Sequence, residues 1–319
     1  MPRIAYALLT SDNITGGQKV ILRHVEALVA SGFDAICLTD APDRAPRWLE
    51  HRAPVGRSST MAPEDVLVVP DDGPAALALA ARREGRAVVL CQSSAAYLVA
   101  GGGLANLAAH RDRLQDFIAV SPGHAVLLRR LFPWARIEVI RAFADERVFR
   151  PGAKAFGAAF MPRKRPLEAE AVRRLAERLH PSTADLDWLR LENLPEGEMA
   201  GVLARAGVYL SLSRMESVGL ATLEALASGC VCAGFLGGGG RDYATPDNGF
   251  WAPDDDCVAA ADALAEAVAV YRGGGPRLAQ MLEAARETAA QWSHATFRSE
   301  LEDAWSRLAP DARRASGPT

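Results

Sequence analysis

The chain has 319 residues, 49% hydrophobic and 24% charged, with a formal net charge of −3. This length suits two ordinary domains with a core each, and the near-balance of charge removes the electrostatic case for nucleic acid as a partner. Five cysteines without a C-x-x-C pair fit small buried hydrophobes in a reducing cytoplasm better than a metal or redox site.

The start, MPRIAYALL, is too short and wrongly flanked for a signal peptide, and no apolar run approaches the length of a membrane span. Residues 4–9 read as a buried strand and 10–16 as a polar, glycine-containing loop. Val20, Ile21, Val25, Leu28 and Val29 then recur at helical spacing until Gly32. Strands are expected at 35–39, 65–69, 87–91, 117–120 and 137–140, with an alanine-rich helix at 74–84. The apolar stretch 92–109 is broken by Gly101, Gly102 and Gly103. Residues 127–136 mix bulky apolar and basic side chains. A contact at a membrane surface is one reading of that pattern, ordinary packing the more economical one.

Turn residues and Pro151 place a domain boundary near 141–152. The pattern then restarts, with strands at 155–161, 187–191, 208–211 and 231–235 and helices at 167–179, 197–206, 219–228, 258–271 and 277–297. Strand and helix in alternation mean crossover connections, hence parallel sheets flanked by helices. The expected division is 1–148, 149–291 and a last helix with its tail at 292–319, the final ten residues fraying. Ligands of such sheets sit at the carboxyl ends of the strands.

The most informative stretch is SLSRMESVGLATLEALASG, residues 211–229. A strand ends at 211–213, Glu216 stands in the loop, and a helix starts near Val218 or Gly219 and stops at Gly229. Gly219 permits close approach of a ligand, and the free N–H groups of the first turn favour a phosphate. Glu216 and Glu224 are two carboxylates able to grip separate parts of one extended ligand, because carboxylates accept hydrogen bonds from sugar hydroxyls. An acidic helix start with one solvent-facing Glu is the plainer alternative.

Glu-x7-Glu at a strand–loop–helix junction resembles the signature of retaining, family-4-type GT-B glycosyltransferases. SRMESVGLATLEALASGCVCAGF, GGGGRDYATPDNGFWAPDDD, GGQKVILRHVEALVASGFD, IAVSPGHAVLL, VIRAFADERVFRP and TFRSELEDAW are each similar to segments of that family. The resemblance implies two Rossmann-like α/β domains facing each other across a cleft, with the last helix crossing back to the first domain. It implies Glu216 at the transferred sugar and Glu224 at the ribose, with the amides of Ser217, Val218, Gly219 and Leu220 as sugar or phosphate contacts. It also implies a UDP-, GDP- or other nucleotide-sugar as donor, and neither a bound metal nor another cofactor.

Arg163, Lys164 and Arg165 directly succeed a strand end. A nucleotide diphosphate leaving group needs cations there, and the resemblance implies an Arg and a Lys several residues apart at this strand end. Which of the three takes which role stays open, with Arg163 and Lys164 the first choice, Arg165 a further donor contact, and a solvated basic turn the plainer alternative. The three are adjacent in a loop shorter than the family's. Gly16 and Gly17 precede a helix, and in the family such a pair lies near the pyrophosphate and acceptor. Gly237 to Gly240 should bring backbone close to ligand or to the facing domain, or form a flexible loop. On the acceptor side the family often has a His after the strand 87–91; this chain has Gln92 instead, leaving Gln92 and His124 as acceptor-side candidates. Asp254, Asp255 and Asp256 read as a helix cap rather than a metal site.

The expected function is transfer of a sugar from a nucleotide-sugar to a glycan, glycolipid, natural product or protein, with retention of anomeric configuration. A sugar-nucleotide epimerase of the same fold and a non-catalytic sugar-nucleotide or glycan-binding protein are the alternatives. The expected location is the cytoplasm, with the inner membrane face as an alternative.

Overall fold

The computed structural model describes residues 2–9 and 14–313, and the chain divides into two compact units, Met1–Ala142 with Phe297–Thr319, and Phe143–Thr296. The first unit contains β1 (Ile4–Ala7), α1 (Gly16–Ala30), β2 (Ala35–Thr39), β3 (Val55–Arg57), β4 (Val66–Pro70), α2 (Pro74–Arg82) and β5 (Ala87–Cys91). It continues through α3 (Ala95–Ala100), α4 (Gly103–Ala109), β6 (Asp116–Ala119), α5 (Pro122–Leu131) and β7 (Arg136–Val139). Its seven strands are parallel in the order β3-β2-β1-β4-β5-β6-β7. β4 and β5 are buried along their whole length, which is why they read as unbroken apolar runs and not as alternation. Leu77, Leu107, Leu128 and Phe132 pack on these strands in one cluster. Within residues 127–136 the largest apolar side chains therefore belong partly to the core.

The second unit contains β8 (Ala155–Phe160), α6 (Pro166–Leu179), β9 (Asp187–Arg190), α7 (Glu196–Arg205), β10 (Ala206–Glu216), α8 (Leu220–Ala227), β11 (Val231–Gly238), β12 (Gly249–Ala252), α9 (Cys257–Gly273) and α10 (Gly275–Gln291). Its five parallel strands run β12-β11-β10-β8-β9. Cys230 and Cys232 are fully buried, and burial pushes the Cys230 thiol up to about 11. The Cys230 thiol donates to the Leu203 and Ala206 carbonyls at 3.4 and 3.3 Å. Among the described residues no helix is long and apolar enough to cross a membrane.

Several elements depart from the sequence expectation. The helix expected at 277–297 is two helices, α10 and α11 (His294–Leu308). The break is built by Trp292, buried against Tyr243 with ring centroids 5.6 Å apart, by the bridge of Ser293 to Ala144, and by Glu146, which accepts the His294 amide at 2.7 Å as a cap. β3 (VGR) and β12 (GFWA) are edge strands of three and four residues, too short to show a periodic pattern. Residues 310–313 do not fray: Pro310–Ala312 form a 3-10 turn, the Asp34 amide donates to the Ala312 carbonyl at 3.0 Å, and Arg313 bridges Phe33. The rest of the tail, 314–319, and loop residues 10–13 lie outside the described residues.

From Phe297 onward α11 is part of the first unit. Trp305 is fully buried beside Tyr6, and Phe297 lies 5.1 Å from the His24 ring. Burying each such side chain contributes roughly 1.5–3 kcal/mol. Glu300 pairs with Arg141 at 2.8 Å, and Ser31 donates to Glu302 at 2.6 Å.

His24 is fully buried, its Nδ1 3.0 Å from the Tyr6 hydroxyl, and burial pulls its pKa down to about 3. An unfolded His takes its proton near 6.5, so the folded state binds fewer protons and loses stability as pH falls below 6.5 toward 3. Asp71, which burial pushes up to about 6, works in the opposite sense, stabilising the fold at low pH. The expected result is therefore a difference: the gap in urea stability between wild type and His24→Gln shifts by about 2 kcal/mol in favour of the variant between pH 7 and pH 5. A pH-independent gap would refute this account of His24.

Candidate functional site

In a doubly wound sheet the ligand crevice forms outside the carboxyl ends of the strands where the strand order reverses. In the second unit that reversal lies between β8 and β10. The loop after β8 carries Arg163, Lys164 and Arg165; the end of β10 carries Glu216. Lys164 Nζ lies 2.8 Å from Glu216 Oε1 and donates also to the Arg214 carbonyl at 3.3 Å. Both side chains are part-exposed, so the pair sits at a solvent-accessible edge.

Glu216 is not in a loop, as the sequence suggested, but is the last residue of β10, which runs well beyond Ser211. The strand carries a bulge between Ser213 and Glu216 before pairing again with Gly238, and Met215 has φ +50. Bulges re-aim a side chain at a strand end. Gly219 comes next with φ +85, and α8 starts after it with no side-chain cap. A Cβ on Gly219 would lie 3.0 Å from the Tyr243 hydroxyl, which donates to the Gly219 carbonyl at 2.9 Å. The helix start is pinned to the strand by hydroxyls: Ser211 to Thr222 at 2.9 Å, and Ser211 donating to the Phe235 carbonyl at 2.6 Å.

The four-glycine run is neither a free loop nor a ligand approach alone. A Cβ on Gly237 would be 2.6 Å from the Ser213 carbonyl carbon, and one on Gly239 would be 2.3 Å from that of Ser217. The glycines let the end of β11 press backbone to backbone against the segment that carries Glu216. Asp254 accepts the Gly237 amide at 3.1 Å and Asp256 caps α9 through the Ala259 amide at 2.9 Å.

Of the remaining candidates in this unit, Glu224 faces inward and is 4% exposed, which overturns the solvent-facing alternative. Ser217 and Leu220 are half-buried and Val218 is buried. Arg163 is exposed. Arg165 is 2% exposed: its Nε donates to the Ser213 carbonyl at 3.1 Å, and it pairs with Glu168 at 3.2 Å and closely with Asp255. Tyr243 escaped sequence reasoning, and Asp254 and Asp255 were read as helix caps instead of partners of Arg165, because nothing in their local pattern ties them to residues many positions distant.

The first unit holds the other candidates. Its strand order reverses between β1 and β4. Gly16 and Gly17 open α1, whose cap is Thr15. The Gln92 amide lies 3.6 Å from where a Gly17 Cβ would be, so the structure brings these two together. Asp71 is fully buried and fixes the loop after β5, accepting the Gln92 amide at 3.1 Å and the Ser93 hydroxyl at 3.1 Å. His124 is in the first turn of α5 and is buried, not a surface group; its amide donates to Ser121 Oγ at 3.0 Å. Among the described residues no group of three or more His, Cys, Asp or Glu side chains is spaced to hold a metal ion.

Residues 190–288 match the family model of glycosyl transferases group 1. Over 240 residues the chain is 26% identical to an alpha-1,6-glucosyltransferase of Actinobacillus pleuropneumoniae, covering 73% of this chain and 72% of that protein. Among solved structures, sucrose-phosphate synthase of Thermosynechococcus elongatus superposes with a TM-score of 0.74 at 14% identity, over 97% of this chain and 99% of the other. HepE of Anabaena, solved in complex with UDP-glucose, superposes with a TM-score of 0.68 at 12% identity, over 96% and 100%. With two parallel sheets flanked by helices the chain has the GT-B fold, and the group 1 match over 190–288 together with the glucosyltransferase relative supports a glycosyltransferase.

Proposed function

We propose that the protein transfers a hexose, glucose first, from a UDP-sugar to a hydroxyl acceptor with retention of anomeric configuration. The observation that carries this reading is the Lys164–Glu216 pair at 2.8 Å, at the strand-order reversal beside an uncapped helix start. The name of the glucosyltransferase relative and the UDP-glucose complex of HepE support the choice of donor.

In this reading Lys164, with Arg163 and the first-turn amides of α8, holds the diphosphate, where cations and a helix N-terminus favour negative charge. Glu216 accepts hydrogen bonds from hydroxyls of the transferred sugar, and Glu224 from the ribose. The residues that hold Glu216 in place are already ordered around it, so catalysis is positioning and charge stabilisation. The acceptor oxygen bonds to the anomeric carbon as the bond to the phosphate oxygen breaks. The acceptor's proton passes to the leaving phosphate, so no protein base is required. In the first unit, Gln92 and His124 are the residues offered to the acceptor, and Gly16 and Gly17 those offered to the donor's pyrophosphate.

Incubation with UDP-glucose and a panel of glycosides tests the reading. UDP release with an α-linked product, read from the anomeric proton coupling, is the expected result. A β-linked product would remove retention, and isomerisation of the donor without acceptor would replace transfer by epimerisation. Lys164→Met is expected to weaken UDP binding by roughly 10- to 100-fold, since a charge-assisted hydrogen bond is worth about 1.5–3 kcal/mol; titration calorimetry reads it directly.

A further inference from the structure

We infer that Arg165, with Asp254 and Asp255, is a positioning device that aims Lys164 and Glu216 and does not itself touch the donor. The inference rests on the donor-site reading of that pair. Arg165 is the residue directly after Lys164, so it anchors the loop that presents Lys164. Its Nε donates to the Ser213 carbonyl at 3.1 Å, three residues before Glu216 and at the point where β10 bulges. Its Nη1 is shared by Glu168 at 3.2 Å and by Asp255, and its Nη2 is 3.8 Å from Asp254. The guanidinium also covers the Phe235 ring, 4.7 Å from the centroid.

One side chain thus ties the ends of β8, β10 and β11 to the loop after β12. Asp254 extends the chain of contacts: it accepts the Gly237 amide at 3.1 Å, and Gly237 and Gly239 press on the backbone at 213–218. Asp255 is held at φ +70 to complete the pair, a left-handed conformation that disfavours a residue with a Cβ. Hydrogen bonding to Arg165 holds the Asp255 carboxyl below the usual range. A guanidinium 2% exposed, with Nε and Nη1 donating inside the protein, is oriented by the protein and not by a ligand.

Asp255 is itself largely exposed and takes no part in the transfer step. Asp255→Asn is therefore the informative variant: a merely structural surface residue would leave kcat unchanged. The expected result is a loss of about 3- to 10-fold in kcat for UDP release from UDP-glucose, with an unchanged melting temperature. Arg165→Gln combined with Asp255→Asn removes both members of the closest pair and is expected to lose more. In a Lys164→Met background, Arg165→Gln should cost little further UDP affinity, because it acts through Lys164. Full additivity of the two losses would make Arg165 a donor ligand and overturn the inference. An active wild type with a fully active Asp255→Asn would also overturn it. A wild type that neither binds UDP nor turns over UDP-glucose would instead remove the donor-site reading on which it stands.

Discussion

Glu216→Ala is expected to lower turnover of UDP-glucose by about 10²- to 10³-fold, the cost typical of removing one preorganised group from a reacting centre. The fold should survive. Glu216 lies at a strand end, its pair with Lys164 is part-exposed, and an ion pair open to solvent contributes little to stability. The bulge at 213–216 and the pairing with Gly238 are backbone features that the substitution leaves in place. The variant should therefore match wild type in circular dichroism and thermal unfolding while releasing almost no UDP. Turnover at the wild-type rate would end the assignment of Glu216.

Gly239→Ala should also lower activity, for a different reason. A Cβ there would stand 2.3 Å from the Ser217 carbonyl carbon and 2.4 Å from the Val218 nitrogen. Both are backbone atoms, with no flexible end to move aside, and both belong to the segment directly after Glu216. Overpacking of this kind costs about 1–3 kcal/mol, and any relief displaces the segment around Glu216. The expected outcome is at least about a tenfold loss of kcat with reduced thermal stability, since a shift of about 1 Å at a reacting group costs up to about a hundredfold. Gly197→Ala and Gly201→Ala in α7 are the controls: a Cβ at either meets nothing within 4 Å. There the added methyl should stabilise the helix slightly, by about 0.5–1 kcal/mol, and leave activity intact. A fully active, fully stable Gly239→Ala would contradict the packing role of the glycine run.

Much of the fold was legible in the sequence because buried parallel strands announce themselves as apolar runs and amphipathic helices as 3.6-residue periodicity. Strands β2 and β5 fall where the runs do, and α6 where its spacing does. The features that escaped were set by distant partners. β10 continues to Glu216 through Ser213, Arg214 and Met215 because the end of β11 pairs with it, and no residue in that stretch signals a strand. The helix at 277–297 breaks at Trp292 because the ring packs on Tyr243 and Glu146 caps the start of α11. Neither contact has a local mark. The four glycines suggested mobility or a ligand; only the opposing backbone shows that they serve close packing. Arg165 looked like a further donor contact beside Lys164, and its burial and internal partners separate the two. In the first unit, Gln92 and Gly17 were each candidates, but Asp71, which fixes the loop carrying Gln92, belongs to no motif.

If Glu216 reads the sugar while Lys164 reads the phosphate, binding of the two halves of the donor must separate. Calorimetric titration of UDP and UDP-glucose into wild type, Glu216→Gln and Lys164→Met tests this most directly. The expected result is that Glu216→Gln binds UDP as wild type does but loses the added affinity for UDP-glucose, whereas Lys164→Met weakens both ligands alike. Equal weakening of both ligands by Glu216→Gln, or unchanged binding of both by Lys164→Met, would contradict this division of roles.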